Sequence, residues 1–347
     1  MAPHSARQGR FASVPVMKAL LSVEVGGPDT LVHSDVDSPA AGPGELLIEV
    51  RAASVNYPDV LIIEDLYQVK PPRPFAPGAE VAGFVTAVGE GVTGFTPGDR
   101  VLAVPGHGGM VEQIALPSST CYRIPDDMPF DEAASFLLTY GTSHYALRGR
   151  ADAQPGESVF ILGAAGGVGL AAVQLGKAMG LTVIAGCSSQ DKVDLCLANG
   201  ADAGIVYPRG PLDRDQQKAL SNEIKAAGGG GVDIVYDAVG GDFAEPAIRA
   251  LNWEGRFLVV GFPAGIPSIP LNLALLKSCQ IVGVFWGAFV FSKPAAHKAN
   301  VDELFSMYTA GQIKPHITSR YPLEAGADAI NELAERRAQG KVVVEIS

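Results

Sequence analysis

Charged residues are scarce in this chain of 347 residues, and positive charge is the scarcer sign. Asp, Glu, Lys and Arg together make up 18% of the residues, and the formal net charge is −11. Nucleic acids and anionic membranes would both be repelled by such a chain. No apolar run reaches the roughly 18 residues that a membrane-spanning helix needs. We therefore expect neither a nucleic-acid partner nor a membrane partner.

Cysteine is also rare. The four cysteines are scattered, and no two of them form a C-x-x-C pair; they are Cys121, Cys187, Cys196 and Cys279. This spacing argues against a disulfide framework and against a clustered structural zinc site. A reducing, cytoplasmic setting fits this cysteine content best.

The first residues lack acidic side chains. Residues 1–16 carry Arg7 and Arg10 but no Asp or Glu. A mitochondrial presequence is one interpretation, yet the segment lacks the amphipathic pattern of such presequences. We predict a disordered leader over residues 1–16, with ordered patterning from Met17 onward.

Apolar residues and glycine, in contrast, are abundant, at 47% of the chain and 41 glycines. Between Ser158 and Lys177 an apolar strand leads into a glycine-rich turn and then into a helix of small residues. Such a turn lets the backbone approach a pyrophosphate, with the N–H groups of the helix start facing its charge. Ala164 replaces the first glycine of G-x-G-x-x-G. The predicted dinucleotide contacts are Ala165, Gly166, Gly167, Val168 and Gly169.

Two patterns divide the chain. From Met17 to about Phe130 short strands and turns predict a β-rich, barrel-like domain. After Pro155-Gly156 strands alternate with helices up to residue 260, which predicts a doubly wound parallel sheet. Helices are predicted over residues 131–147 and 325–339. The final strand, Lys341–Ile346, is expected to return to the first domain.

The end of the second strand of this sheet indicates which dinucleotide is bound. An NAD site places a carboxylate there for the ribose hydroxyls. Here the strand ends in Ser188 and Ser189, followed by Lys192. A 2′-phosphate needs a cation and hydrogen-bond donors, so NADPH is favoured over NADH. Asp191 is a carboxylate that could contact the ribose of NADH, so NADH stays an alternative. We expect Asp191 instead to stabilise the N-terminus of the following helix.

Four motifs, in this family's order, resemble the medium-chain dehydrogenase/reductases, and within them the zeta-crystallin-like NADPH:quinone oxidoreductases. They are Asn56-Tyr-Pro-Asp59, Pro77-Gly-Ala-Glu-Val-Ala-Gly83, Thr96-Pro-Gly-Asp-Arg-Val101 and Ala164-Ala-Gly-Gly-Val-Gly169. The resemblance implies a GroES-like catalytic domain of residues 17–138 and 278–347. It also implies a Rossmann NADPH-binding domain of residues 139–277, and a homodimer.

The resemblance also assigns cofactor contacts. It places Lys192, Tyr207 and Arg336 at the 2′-phosphate, with Arg337 as the alternative to Arg336. It also places Thr142 beside the nicotinamide ribose and Phe262 at the nicotinamide. Phe285 and Trp286 could wall the same pocket or be ordinary core residues, and Asp237 lies near the expected adenine side. Asp237 could instead cap a loop.

Metal ligands are absent from the positions where the zinc-dependent relatives carry them. Asn56 stands where those relatives have a cysteine, and Ala79 where they have a histidine. We therefore expect no metal, and we expect His107 and His144 to serve packing or the surface. Without a Lewis acid, the substrate should already be electron-poor, as a quinone or an enone is.

Three side chains are candidates for stabilising the reduced acceptor. Asn56 offers an amide N–H, and Tyr57 and Tyr67 offer phenolic O–H groups. Each tyrosine could equally be a partly buried aromatic residue, and water could supply the proton. Two alternatives to a quinone or enone reductase stay open: an enoyl-thioester reductase with Tyr57 or Tyr67 as proton donor, and a non-enzymatic NADPH-binding protein.

Overall fold

The computed structural model describes residues 15–347. The first 14 residues of the predicted leader lie outside the described residues, and a strand already begins at Val16. No helix among the described residues is long and apolar enough to cross a membrane.

The N-terminal part is rich in strands, as predicted. Its elements are β1 (Val16–Ser22), β2 (Leu31–Asp37), β3 (Glu45–Val55), α1 (Tyr57–Ile63), β4 (Glu80–Val88), β5 (Arg100–Ala103), β6 (Gln113–Pro117), β7 (Cys121–Arg123) and α2 (Phe130–Ala134). Along β3 the apolar residues Leu46, Ile48 and Val50 are buried, and the residues between them are partly exposed. This period of two directs one face of the strand to the core.

The central part alternates strands and helices. It contains α3 (Leu137–His144), β8 (Ser158–Leu162), α4 (Gly167–Ala178), β9 (Thr182–Cys187), α5 (Gln190–Ala198), β10 (Ala203–Val206), α6 (Arg214–Ala227), β11 (Val232–Asp237), α7 (Ala244–Arg249), β12 (Leu251–Val259), α8 (Asn272–Lys277) and β13 (Gln280–Gly283). The six strands form one parallel sheet in the order β10-β9-β8-β11-β12-β13. The connections reverse direction between β8 and β11, which is where open α/β sheets bind ligands.

The C-terminal part returns to the first sheet. It consists of α9 (Trp286–Ser292), α10 (Pro294–Thr309), β14 (Ile317–Pro322), α11 (Gly326–Ala334) and β15 (Lys341–Glu345). β15 pairs antiparallel with β3, with Val342 opposite Val55, and completes a seven-stranded sheet. The predicted return of the last strand is confirmed.

Two predicted helices and the predicted extent of the parallel sheet differ from the structure. The helix predicted over 131–147 is broken between α2 and α3, and the N–H of Leu138, in the first turn of α3, donates to the buried Glu80 carboxylate. The helix predicted over 325–339 ends at Ala334, because Arg336 takes a left-handed φ of 58°. The strand set does not end at residue 260. β13 pairs with β12 in the same sheet, so the predicted boundary between residues 277 and 278 would divide that sheet.

Candidate functional site

The glycine-rich turn lies at the carboxyl end of β8, at the point where the strand order reverses. A Cβ on Gly169 would lie 2.2 Å from the Gly163 carbonyl oxygen, so only glycine allows α4 to pack this closely on the turn. Gly166 is exposed. The first N–H groups of α4, from Gly167 onward, have no partner within the helix. The turn therefore offers backbone donors to an anion.

Three contacts from distant parts of the chain fix this turn. The N–H of Gly163 donates to the Tyr207 hydroxyl at 3.2 Å, and the N–H of Gly340 donates to the Ala165 carbonyl at 2.8 Å. Ser143 donates to the Val168 carbonyl at 2.7 Å. Burial raises the pKa of Tyr207 well above its usual range. The Tyr207 hydroxyl thus supports the turn. The 2′-phosphate contact that the resemblance implies for Tyr207 stays a prediction.

Lys192 and Arg336 are neighbours at the end of β9. The Lys192 ammonium donates to the Arg336 carbonyl at 3.3 Å, and the Arg336 guanidinium donates to the Pro263 carbonyl at 2.7 Å. Burial lowers the pKa of Lys192, and the nearby charge of Arg209 lowers it further. Arg337 instead pairs with Glu335 at 2.6 Å. Of the two arginines left open by the sequence, Arg336 is the one beside Lys192.

The carboxylate of Asp191, next to Lys192 in sequence, already has hydrogen-bond partners within the protein. Asp191 lies in the first turn of α5, where it was predicted, and accepts a hydrogen bond from Gln339 at 2.7 Å. The Ser189 hydroxyl also donates to it, and that bond lowers the pKa of Asp191. Ser188 and Ser189 are half-buried beside Lys192 in sequence. Lys192 and Arg209 therefore bring positive charge to the end of β9, and the backbone of Arg336 lies beside it.

A buried polar network lies where β3, β4 and β15 meet. The Lys341 ammonium donates to Asn56 Oδ1 at 2.6 Å and lies 4.0 Å from Glu80 Oε2. The Asn56 amide donates to the carbonyl and the hydroxyl of Ser54, at 3.3 and 3.1 Å. Asp59 accepts from the backbone N–H of Asn56 at 2.8 Å. Both ends of the Asn56 side chain are therefore engaged within the protein.

Burial controls ionisation in this network. It raises the pKa of Asp59 to about 6, against the opposing hydrogen bonds from backbone N–H groups and the charge of Lys341. Burial also raises the pKa of Glu80 and lowers the pKa of Lys341. The hydrogen bonds and opposite charges favour the ionised forms that burial opposes. The network places one fixed cation between two carboxyl groups.

Zinc does not fit these residues. Neither Asn56 nor Ala79 supplies a usual zinc ligand, and the Asn56 oxygen already accepts a hydrogen bond from a cation, Lys341. Within residues 15–347, no group of three or more His, Cys, Asp and Glu side chains could hold a metal ion.

The two candidate tyrosines are free to make new contacts. Tyr57 and Tyr67 are half-buried, and neither phenol makes a hydrogen bond within residues 15–347. Burial raises the pKa of Tyr67, and the charge of Asp59 raises it further. A phenol whose ionisation is suppressed remains a proton-bearing donor at neutral pH.

The remaining predicted contacts lie on different elements. The Thr142 hydroxyl donates to the Leu138 carbonyl at 2.6 Å, within its own helix. Asp237 is buried and caps the loop after β11 by accepting from the N–H groups of Val239 and Gly240. Burial raises the pKa of Asp237 to about 6. The loop-capping alternative for Asp237 is therefore the one the structure shows.

The aromatic candidates differ in exposure. Phe262 and Phe285 are exposed, whereas Trp286 is buried against α3, where a Cβ on Gly141 would lie 2.9 Å from its indole ring. His107 packs edge-on against Phe75.

His144 is buried, with Nε2 3.2 Å from a Glu303 carboxylate oxygen. Burial lowers its pKa, although the charge of Glu303 opposes this effect.

Lys341 and Glu80 are the site residues that the sequence analysis did not single out. Glu80 stands within the second motif, directly after Ala79. Lys341 begins a strand whose next three residues are buried valines, and it is itself 4% exposed. The sequence did contain a signal for Lys341, namely a lysine at the start of an apolar strand directly after Gly340. Lysine is almost never fully buried unless it is paired, so such a position indicates a buried charged contact.

Two family models match the chain. The alcohol dehydrogenase GroES-like domain matches residues 42–126, and the zinc-binding dehydrogenase model matches residues 167–304. The quinone oxidoreductase-like protein 2 of Bos taurus is 35% identical over 331 residues, which cover 95% of this chain and 92% of that protein. The chain belongs to the quinone oxidoreductase family of the medium-chain dehydrogenase/reductases.

Solved structures of the family share the whole fold. A mycobacterial protein solved in complex with NADPH superposes with a TM-score of 0.86 at 31% identity, covering 95% of this chain and 99% of the other. The quinone oxidoreductase of Thermus thermophilus, also solved in complex with NADPH, gives 0.82 at 30% identity, covering 95% and 100%. The predicted family and the predicted pairing of a GroES-like domain with a Rossmann domain are confirmed.

Proposed function

We propose that the protein is an NADPH-dependent reductase that transfers hydride to a quinone or an α,β-unsaturated carbonyl compound without a metal. One observation carries the choice of NADPH: the Lys192 ammonium lies on the backbone carbonyl of Arg336, 144 residues away in sequence, at the end of β9. The relatives solved with NADPH support the same cofactor.

The residues present fit NADPH. The N–H groups at the start of α4 would face the pyrophosphate, and the absence of side chains at Gly166 and Gly167 leaves room for it. Lys192, Arg336 and the Ser188 and Ser189 hydroxyls would hold the 2′-phosphate. When bound, the cofactor supplies the hydride.

The chain's own residues would orient the acceptor and provide hydrogen bonds to its oxygen. Tyr57 and Tyr67 are the candidates, because their phenols have no partner within residues 15–347. Asn56 is better described as a positioning residue, because Lys341 and Ser54 occupy its side chain and its backbone anchors α1. A donor aimed at the acceptor oxygen stabilises the negative charge that develops there.

The sheet edge at β13 supports a homodimer. Among the described residues β13 pairs on one side only, with β12. Exposed apolar side chains surround that open edge, including Leu275, Ile281 and Phe285. An unpaired edge flanked by apolar residues favours pairing with another strand. Pairing of β13 with its copy in a second chain would cover both the open strand edge and the exposed apolar side chains.

The deciding experiment is an NADPH-oxidation screen on the purified protein with 1,4-benzoquinone, an enone and crotonyl-CoA. The proposal expects turnover with the quinone or the enone, which survives exhaustive chelation. Preference for crotonyl-CoA would instead identify an enoyl-thioester reductase. Tight NADPH binding with no turnover on any acceptor would identify a non-enzymatic binding protein, and activity that needs added zinc would contradict the metal-free mechanism.

A further inference from the structure

Two of the four cysteines are neighbours in space. Cys187, the last residue of β9, and Cys196, on α5, are both buried, with Sγ atoms 3.7 Å apart. Neither takes part in the reduction proposed above. Cys121 and Cys279 have no thiol neighbour of this kind within residues 15–347.

The thiol pair adjoins the proposed cofactor site on two sides. The backbone N–H of Ala165, in the glycine-rich turn, is among the groups that lower the pKa of the Cys187 thiol. The two residues after Cys187 are the serines proposed for the 2′-phosphate, and Lys192 lies on α5 one turn before Cys196. Any movement of either sulfur is therefore coupled to groups that would hold the cofactor.

The environments of the two thiols differ in the way that a nucleophilic and a resolving cysteine differ. The hydrogen bond from Cys196 lowers the pKa of Cys187, with further help from the Ala165 N–H and the charge of Lys192. The same hydrogen bond and burial raise the pKa of Cys196. Cys187, whose pKa is lowered, is therefore assigned the attacking role, and Cys196 the resolving role.

We propose that Cys187 and Cys196 form a reversible disulfide with hydrogen peroxide, and that this disulfide weakens NADPH binding. Cys187 loses its proton to solvent, its thiolate attacks one peroxide oxygen, and the O–O bond breaks. Cys187 becomes a sulfenic acid, and the departing hydroxide takes up a proton from solvent and leaves as the first water. The Cys196 sulfur then attacks the Cys187 sulfur, an S–S bond forms, and the hydroxyl departs as a second water with the Cys196 proton. Two thiols lose two electrons, and these reduce the peroxide to two waters.

The geometry explains the effect on the cofactor. A disulfide brings the two sulfurs from 3.7 Å to about 2.05 Å. Closing this gap draws Cys187 away from the Ala165 N–H and pulls α5 toward β9. Both changes displace groups proposed to contact the cofactor, Ser188 and Lys192 among them. This second half of the inference rests on the proposed function, whereas disulfide formation does not.

The first measurement is of the disulfide itself. A variant with Cys121→Ser and Cys279→Ser keeps only Cys187 and Cys196. Increasing doses of hydrogen peroxide should oxidise both thiols of one chain together, and dithiothreitol should restore them. Cys196→Ser should instead accumulate a sulfenic acid at Cys187. If both thiols stay reduced at peroxide doses that oxidise Cys279 in the otherwise unchanged protein, or if only cross-linked chains form, the inference fails.

The second measurement is NADPH affinity before and after oxidation in the same background. We expect the Kd to rise about tenfold, within the usual range for coupling between sites, and to recover on reduction. Bound NADPH should in turn slow disulfide formation. An unchanged Kd after full oxidation would refute the switch. If the reduced protein binds no NADPH, the proposed function fails, and the thiol measurement still decides whether the disulfide forms.

Discussion

The sequence predicts which types of side chain lie at this site better than it predicts which residues they contact. The serines and lysine after β9 indicated a phosphate site from the sequence alone, because a strand end without a carboxylate lacks the ribose contact of an NAD site. The sequence could not show that Lys192 would meet Arg336, since the left-handed conformation of Arg336 ends the helix early and turns the chain back. Nor could it show that Lys341 would lie against Asn56, because that contact depends on strand register.

Tyr67 provides a test at the residue scale. Tyr67→Phe should lower the turnover of a quinone or enone about tenfold or more, because a donor to the acceptor oxygen is lost. NADPH affinity should stay within twofold of the original value. Tyr321→Phe is the matched control, since the Tyr321 hydroxyl donates to Glu332 instead. Equal turnover in the two variants would remove Tyr67 from the reaction.

Asp237 should make stability depend on pH. Its pKa is raised from 3.8 to about 6 in the folded protein, so its stabilising contribution is complete below 3.8 and is lost as the pH rises through 6. The free energy of unfolding of Asp237→Asn, relative to the unchanged protein, should therefore increase by about 1 kcal/mol between pH 5 and pH 8. Urea unfolding at the two pH values measures this difference. A pH-independent difference would show that the Asp237 carboxyl is not perturbed.

At the scale of elements, strand–helix alternation and the position of the glycine-rich turn were predictable, since both depend on local pattern. The break between α2 and α3 was not. Nothing local to residues 135–136 predicts it, and Glu80, which accepts from the Leu138 N–H just after the break, lies far away in sequence on β4. β13 was also missed as a member of the parallel sheet, because four residues carry too little periodicity to assign a strand to one sheet over another.

Two separate alanine substitutions test how closely α4 packs on the glycine-rich turn. Gly169→Ala places a Cβ 2.2 Å from the Gly163 carbonyl, so α4 must move away from the turn. We expect a loss of about 2 kcal/mol or more in the free energy of unfolding, with a large loss of NADPH binding. Gly166→Ala meets nothing closer than 3.4 Å and should fold as the unchanged protein does. Thermal and urea unfolding compare the two, and equal stabilities would contradict the close packing described for the turn.

At the scale of the whole molecule, the resemblance predicted the family and both domain types, and these are confirmed. The homodimer, the cytoplasmic location and the exact division into domains remain predictions. The dimer proposal has a direct test at the open edge of β13. Ile281→Lys places a charge on the exposed edge and should convert a dimer into a monomer in light scattering, as charged edge residues oppose strand pairing. A dimer that persists in this variant would place the interface elsewhere.

The central claim is that positive charge at the end of β9 selects NADPH. The most direct measurement is a calorimetric titration of the protein and of Lys192→Ala with NADPH and with NADH. The unchanged protein should bind NADPH more tightly than NADH, and Lys192→Ala should weaken NADPH about tenfold or more, as expected for a charged hydrogen bond, while NADH changes little. Lys177→Ala, which removes a lysine paired with Asp202, should alter neither affinity. Equal losses for both dinucleotides in Lys192→Ala, or a preference for NADH in the unchanged protein, would contradict the account.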